Sequence, residues 1–450
     1  MSAAKPPNPR RVAVRALRDI EQRRGFSNRI LSDQLERHVE LARRDRGLIT
    51  TLVYGVLRHQ ARLDALIDAA ADKPGKLKGE LRTILRVAAY ELVELDRPPA
   101  IAGAEAVKVA KRIDPRGRLR GLITAIVAGV ARDAPARAAA WEAGDPLTAL
   151  RERWSLPAWL AARWLAALGP ERALARARVL AEAPTLDLRI DLGRTTRDEV
   201  RARLEAEHPG LRFVELPAAA GDQPQAVRVQ GAGDLFYGPL FESGLISIQS
   251  LGSQQAVRAL DPRPGERIID ACAGMGTKTA QIAELMQRQG RLVAMDASAE
   301  RLAELEAARE RVDLDAEGLA LEIVHADLAE DPLELDIELE PGSVDGLLLD
   351  APCTGLGNLA RHPELRWTAE PGDVPACAAL QATLLRRCAD WVRPGGRLVY
   401  AVCSLEPEEG PQVVADFVAE RGEFRVVKEE AWTPEGARSD GFWLARLERG

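Results

Sequence analysis

Nowhere in the 450 residues do eighteen apolar residues run without a charge, so no segment reads as a membrane-spanning helix and no membrane partner is expected. The first ten residues, Met1 to Arg10, hold prolines and basic groups where a secretion signal would need an apolar stretch. Cysteine is scarce: Cys272, Cys353, Cys377, Cys388 and Cys403 are odd in number, all lie in the C-terminal half and form no C-x-x-C pair. That argues against both a disulfide framework and a zinc site, leaving reduced thiols in a cytoplasmic protein and no metal as the expectation. No internal repeat or low-complexity tract is evident. What is present, 46% hydrophobic and 29% charged residues, describes a globular chain long enough for two or three cores and excludes disorder and fibre.

The net charge of −6 conceals an asymmetry. Residues 1–140 carry 28 Lys+Arg against 16 Asp+Glu, a balance of +12, while the remaining 310 residues carry 34 against 52, a balance of −18. A basic module joined to an acidic body suggests that one part holds a polyanion while the other works on it, because Lys and Arg neutralise phosphates and release counterions. Nucleic acid is the first candidate.

From Pro9 to about Asp133 apolar residues recur at three- and four-residue intervals, as in Leu48, Leu52 and Val56 and again in Leu81, Ile84, Leu85, Ala88 and Leu92. This spacing predicts an all-helical domain over 1–140. Asp114-Pro115-Arg116-Gly117 reads as a turn between two helices, and Lys108, Lys111, Arg112, Arg116, Arg118 and Arg120 gather positive charge around it. Such a run is commonly a solvated face; the excess of the whole domain makes an RNA contact an equal reading. Ala134 to Pro146, rich in Ala, Pro and Gly, is expected to be a linker. Residues 147–240 mix helix (Trp154–Leu168 and Thr195–Glu207, the latter capped by Thr195 or Thr196) with short strands (Leu186–Asp191, Leu211–Leu216, Ala226–Val229), a small α+β domain without visible chemistry.

Over 241–450 the pattern changes to apolar strands alternating with helices. Arg267–Ala273, Arg291–Asp296, Leu321–Asp327, Val344–Asp350 and Arg397–Ser404 are the strand candidates. That rhythm predicts an α/β fold, a parallel sheet with helices on both faces, in which ligands bind beyond the carboxyl ends of the strands.

The chemistry-bearing residues fall at those ends. Cys272, Ala273, Gly274, Met275, Gly276, Thr277 and Lys278 follow the first strand and open a helix, so small residues let the backbone approach a ligand. Neither a dinucleotide fingerprint nor a P-loop fits the glycine spacing, and a nucleoside ligand without pyrophosphate fits better. Asp296, 22 residues after Gly274, closes the second strand where a carboxylate can accept from both ribose hydroxyls. Asp327 and Asp350 close the third and fourth. One acid at a strand end is often a helix cap; three along one edge favour a cofactor cleft. Cys353 follows the fourth strand and Cys403 ends the fifth, so neighbouring strand ends would bring them together. Cys377 and Cys388, on a helix with Leu380, Leu384 and Leu385, read as core. Two thiols at one cleft suit addition to C6 of cytosine, which makes C5 enamine-like, followed by removal of the C5 proton.

Asp350-Ala351-Pro352-Cys353 with Val402-Cys403-Ser404 resembles the paired motifs of the RNA cytosine-5 methyltransferases, which bind S-adenosylmethionine on a Rossmann-like domain. Arg361-His362-Pro363-Glu364-Leu365-Arg366-Trp367 and Asp440-Gly441-Phe442-Trp443 resemble the RsmB (Sun, Fmu) branch, which methylates 16S ribosomal RNA and carries an N-terminal NusB-like RNA-binding domain. Leu52-Val53-Tyr54-Gly55-Val56-Leu57-Arg58 is similar to a segment of that domain, so the likeness covers essentially the whole chain.

The resemblance implies that Cys403 attacks cytosine C6 and Cys353 assists proton removal and release, with Asp350 on the ring edge and Lys278 near the base. Cys272 to Lys278, Asp296, Asp327 and Asp350 would line the S-adenosylmethionine site. It further implies a monomer acting on 16S ribosomal RNA that is not a fully assembled subunit, with cytosine 967 the usual target. The family's Ala-Pro-Gly-Gly-Lys-Thr loop reads Gly274-Met275-Gly276-Thr277-Lys278-Thr279 here, and Gln249-Ser250 replaces its usual Gln-Asp. His362, beside Pro363, is expected to be structural or an RNA contact rather than a general base. Two other readings compete: a non-catalytic RNA-binding or ribosome-assembly factor on a degenerate methyltransferase fold, and a nicotinamide oxidoreductase. The first leaves the cysteines and strand-end acids without purpose, and the second leaves the cysteines without one.

Overall fold

Asn8 caps the first described helix: its side chain accepts from the Arg10 N–H at 2.9 Å and Pro9 occupies the first helical position, where a missing N–H costs nothing. The structure, a computed structural model, describes residues 7–217, 221, 223–231, 238–331, 333, 335–437 and 440–450. Two compact units divide the chain, Met1–Ala183 with Leu359–Ala369, and Pro184–Asn358 with Glu370–Gly450.

The first unit is helical, its main helices spanning Pro9–Arg23, Ser27–Glu36, Arg43–Arg58, Gln60–Ala69, Gly79–Val93, Pro99–Ala110, Arg120–Ala143 and Ala158–Leu180. Ile49, Leu52, Val53 and Val56 line one face and meet Ile84, Leu85 and Ala88, all buried. Burial of side chains of this size contributes roughly 1.5–3 kcal/mol each. Gly55 permits the approach: a Cβ there would lie 2.0 Å from the Tyr90 ring. Helix Arg120–Ala143 runs through most of the expected linker, with Pro135 inside it. Alanine has the highest helix propensity even where no apolar period marks it, and Trp141 anchors the last turns in the core. Ala158–Leu180 is two helices meeting at Gly169 (φ 73°) and Pro170, so the helix expected to end at Leu168 resumes.

In the second unit a small antiparallel sheet is formed by β1 (Leu186–Ile190), β2 (Arg212–Val214), β3 (Ala226–Gln230) and β4 (Ile246–Ile248), in the order β2-β3-β1-β4. Thr196 caps helix Arg197–Glu207 in a reciprocal box with Glu199. The larger sheet comprises β5 (Arg267–Asp270), β6 (Gly290–Asp296), β7 (Leu319–His325), β8 (Val344–Asp350), β9 (Val392–Val402), β10 (Phe424–Trp432) and β11 (Phe442–Arg449), ordered β10-β11-β9-β8-β5-β6-β7. The five expected strands pair in parallel, while β11, absent from the sequence reading along with β10, runs antiparallel to both its neighbours. Ile269, Val293, Leu347, Leu349 and Tyr400 pack on one face with Leu384, Leu385 and Cys388; Ile268, Leu292, Ala294, Leu348 and Val399 pack on the other. Burial on both faces is what makes these strands read as continuous apolar runs. The chain steps outward from β5 through β6 to β7, then returns to β8 on the other side of β5, so the crevice of this sheet lies at the carboxyl ends of β5 and β8.

The expected boundaries at 140, 147 and 240 do not coincide with this division. Ser155 accepts from the Ala61 and Arg62 N–H groups, which places its segment in the helical unit. β4 lies past 240 yet completes the small sheet. Among the described residues no helix is long and apolar enough to cross a membrane.

Candidate active site

β5 ends at Asp270, and the loop that follows turns through Gly274 (φ 56°) and Gly276 (φ 78°) into helix Thr277–Leu285. Both φ values lie in the left-handed region that favours glycine. At Gly276 space adds a second reason, because a Cβ would sit 2.1 Å from the Leu305 methyl. The loop is tied down by carboxylates: Asp296, ending β6, accepts from the Gly274 N–H at 2.9 Å and the Ser298 N–H at 2.8 Å. Thr279, one turn into the helix, donates its hydroxyl to Asp270 at 2.7 Å. Asp270 is fully buried, its other oxygen has no partner among the described residues, and burial raises its carboxyl pKa to about 7.

Asp350 ends β8, and the Lys278 ammonium donates to it at 2.5 Å. Burial works against the Lys278 charge, yet Asp350 outweighs it and the pKa is raised. Asp327, two residues past β7, is exposed and accepts from the Ala329 N–H at 2.9 Å. A glycine turn at a helix start with carboxylates on β5, β6 and β8 suits a small ligand bearing ribose hydroxyls and positive charge. The partnerless Asp270 oxygen is a polar atom of the kind such a ligand would satisfy. S-adenosylmethionine has both features, so the residues present fit it.

The Cys353 and Cys403 sulfurs lie 3.2 Å apart as free thiols. β8 and β9 are adjacent and parallel, pairing Asp350 with Ala401, so the two chains leave the sheet side by side. Gly357 donates to the Cys403 carbonyl at 3.0 Å and accepts from the Gly441 N–H at 2.8 Å; a Cβ on Gly357 would be 2.1 Å from the Gly441 oxygen. The small residues after Cys353 and those of Asp440-Gly441-Phe442-Trp443 thus interlock behind Cys403. Its hydrogen bond with Cys403, reinforced by burial, pushes the Cys353 thiol pKa well up. Cys388 is core as expected, whereas Cys377 is half-buried, because it sits in the first turns of its helix.

Sequence reasoning missed Arg189. On β1, fully buried, it donates to the Thr277 carbonyl and to Glu284 at 2.7 Å each and also to Gln249. The signal was an arginine between Leu188 and Ile190 at a position needing a buried acid. Ser250, where an acid was usual, caps helix Leu251–Leu260 through the Ser253 N–H at 3.3 Å.

In the helical unit the six basic residues surround the turn between Pro99–Ala110 and Arg120–Ala143, all exposed. Lys108 pairs with Glu105 and Arg112 with Glu80; Lys111, Arg116, Arg118 and Arg120 have no side-chain partner among the described residues. Leu359–Ala369 belongs to this unit too. Arg366 is buried there, donating to the Arg58 carbonyl at 2.7 Å and the Leu180 carbonyl at 2.5 Å, while Trp367 donates to Leu57 at 2.7 Å. The segments Leu52–Arg58 and Arg361–Trp367, whose sequences carry the family resemblance, therefore bind one another. His362 packs edge-on against Phe26, centroids 5.8 Å apart.

Comparison with known proteins adds to this geometry. Residues 257–447 match the family model for 16S rRNA methyltransferase RsmB/F, and residues 7–132 match the NusB family. The chain is 33% identical, over 98% of its length and 99% of the relative's, to the probable ribosomal RNA small subunit methyltransferase B of Synechocystis sp.. It is 32% identical to the probable ribosomal RNA small subunit methyltransferase B of Bacillus subtilis, covering 92% of this chain and 89% of that one. The crystal structure of a protein named PH0851 matches with a TM-score of 0.79 at 24% identity, covering 100% of both chains, which shows a shared fold.

Proposed function

Because the chain belongs to the ribosomal RNA small subunit methyltransferase B family, we propose that it methylates C5 of a cytosine in 16S ribosomal RNA through a covalent bond between Cys403 and C6 of that base. Cytosine 967, the family's usual target, is the position we assign. The observation carrying this reading is the 3.2 Å separation of the Cys353 and Cys403 sulfurs at the strand edge that also holds Lys278 and Asp350.

Cys403 releases its thiol proton to solvent and adds to C6 as the thiolate. The displaced π electrons move to the ring nitrogen at the edge facing Asp350, which takes a proton from solvent and returns it as C5, enamine-like in between, forms its new bond. S-adenosylmethionine, when bound by the Cys272–Lys278 loop with Asp296, Asp327 and Asp350, supplies the electrophilic methyl group. Lys278 holds Asp350 in place through their ion pair and keeps positive charge beside the ring. Cys353, a neutral thiol hydrogen-bonded to its neighbour in the resting site, gives up that proton to solvent once Cys403 is engaged, and its thiolate then takes the C5 proton. The electrons of that C–H bond re-form C5=C6 as the Cys403–C6 bond breaks. A base in a stem cannot reach this edge, so the target must leave its stack. The NusB-like unit, with Lys108, Lys111, Arg112, Arg116, Arg118 and Arg120, supplies affinity for the phosphates. We place the reaction in the cytoplasm, with the chain acting as a monomer on RNA that is not yet a complete subunit.

Incubation with unmethylated small-subunit RNA and tritiated S-adenosylmethionine labels the RNA, and bisulfite sequencing locates one cytosine. Cys403→Ala abolishes the label, and Cys353→Ala accumulates a protein–RNA adduct of lower mobility. Binding without label points to a scaffold protein, and normal turnover by Cys353→Ala overturns the division of labour.

A further inference from the structure

The ladder between β8 and β9 stops short of the sulfurs. Its last bond runs from the Ala351 N–H to the Ala401 carbonyl at 2.9 Å, two residues before each cysteine. Strand pairing therefore brings the cysteines near each other without fixing their separation.

Among the described residues, one side chain spans the gap, beside the backbone bond from the Gly357 N–H to the Cys403 carbonyl. Glu409 is fully buried and forms no ion pair with a described residue; four hydrogen bonds converge on its carboxylate. One oxygen accepts from the Thr354 N–H at 2.7 Å and from the Gln381 amide at 3.3 Å. The other accepts from the Thr354 hydroxyl at 2.6 Å and the Ser404 hydroxyl at 2.5 Å. Thr354 directly follows Cys353 and Ser404 directly follows Cys403. Gln381 extends the clamp to the residue before Cys353, donating to the Pro352 carbonyl at 2.9 Å. The Glu409 backbone is itself anchored, its carbonyl accepting from the buried Tyr400 hydroxyl at 2.5 Å.

A buried carboxylate without a cation is unfavourable unless its lone pairs are filled by good donors, and those donors then lose their positional freedom. Its two oxygens join one backbone N–H, one amide and two hydroxyls from separate loops. We propose that Glu409 is a positioning residue that sets the distance between the Cys353 and Cys403 sulfurs. Its importance for methyl transfer rests on the function proposed above, in which both sulfurs serve one pyrimidine; the geometric claim does not.

The test measures sulfur separation directly. Phenylarsine oxide bonds one arsenic to two neighbouring thiols, releasing one water, and so reports whether two sulfurs lie within reach of a single atom. In the full chain it binds at one equivalent, and Cys353→Ala abolishes this capture. Glu409→Ala weakens capture about tenfold or more and lowers kcat about 100-fold, the scale expected of ångström misplacement, with KM for S-adenosylmethionine unchanged. Glu409→Gln retains most of both, because its carbonyl oxygen still accepts from Thr354 and the two hydroxyls turn to accept from its NH2. Thr354→Val and Ser404→Ala, each removing one arm, fall between and decide the matter where Glu409→Ala does not fold. Wild-type capture by a folded Glu409→Ala, or by both single-arm variants, overturns the proposal. Altered capture in a chain that methylates no RNA upholds the clamp and refutes the assigned reaction.

Discussion

Glu364 accepts two hydrogen bonds from Ser27, at 3.0 Å from its backbone N–H and at 2.6 Å from its hydroxyl, across 337 residues of sequence. Ser27 opens helix Ser27–Glu36, whose cap residue Phe26 offers no side-chain acceptor. A carboxylate from the Leu359–Ala369 insertion thus does what a local cap would do, satisfying a buried N–H at the helix start where the helix dipole favours negative charge. Burial opposes the Glu364 charge, but hydrogen bonds from His362 and Ser27 prevail and its pKa is lowered. Glu364→Ala leaves two buried donors on Ser27 without a partner and destabilises the protein by about 1–3 kcal/mol. Urea unfolding of the full chain measures this, and an unchanged midpoint refutes the capping role.

Asp270 gives stability a pH dependence of identifiable sign. Burial raises its pKa from the ordinary 3.8 of an aspartate to about 7, so the folded chain holds a proton that the unfolded chain has already released. Its contribution to stability is complete below the unfolded value and lost above about 7; between the two it declines by about 1.4 kcal/mol for each step of one in pH. Asp270→Asn mimics the protonated acid and still accepts from Thr279, so this decline disappears. Urea midpoints from pH 5 to 8 test it; parallel profiles for the two proteins would show that Asp270 is ionised when folded.

The basic turn divides into paired and unpaired charges, and the two classes differ in what they offer RNA. Lys108 and Arg112 already face Glu105 and Glu80, whereas Lys111, Arg116, Arg118 and Arg120 face solvent. Replacing those four by Gln weakens binding to small-subunit RNA and reduces the slope of log K against log salt by about 0.7–0.9 per lost phosphate contact. Lys108→Gln changes the slope less. A fourfold variant with the wild-type slope excludes this face as the RNA contact.

How legible the site was depended on the range of the interactions. Asp296, Asp350, Cys353 and Cys403 could be placed at one edge from sequence because period-two and apolar runs mark strands, and a strand's last residues mark the ligand side. The helical repeats around Leu52 and Leu85 were legible through their three- and four-residue spacing. Less visible were interactions set by chains distant in sequence. Leu359–Ala369 belongs to the helical unit through the Arg366 and Trp367 bonds to Arg58, Leu180 and Leu57, partners hundreds of residues away that leave no local period. Glu409 sits among Glu406, Glu408 and Pro407, where an acid reads as solvated surface until the fold turns it inward. The Ala134–Ala143 turns of helix were lost because alanine signals helix by propensity while Pro135 signals a break.

Arg189 ties the small sheet to the proposed cofactor loop by holding the Thr277 carbonyl, one residue from Lys278, while pairing with Glu284 on the same helix. Removing the guanidinium alone strands Glu284, whose pKa burial already raises, and would confuse stability with function. The double variant Arg189→Leu, Glu284→Leu avoids this, because replacing both members of a buried pair by apolar residues is often neutral or stabilising. It retains the wild-type melting temperature but binds S-adenosylmethionine about tenfold more weakly, about 1.4 kcal/mol, since the first turn of helix Thr277–Leu285 loses its tether. Isothermal titration measures this on the purified chain. A stable double variant with undiminished affinity shows that the glycine turn and Asp296 position the loop unaided, and that Arg189 serves only the packing of β1.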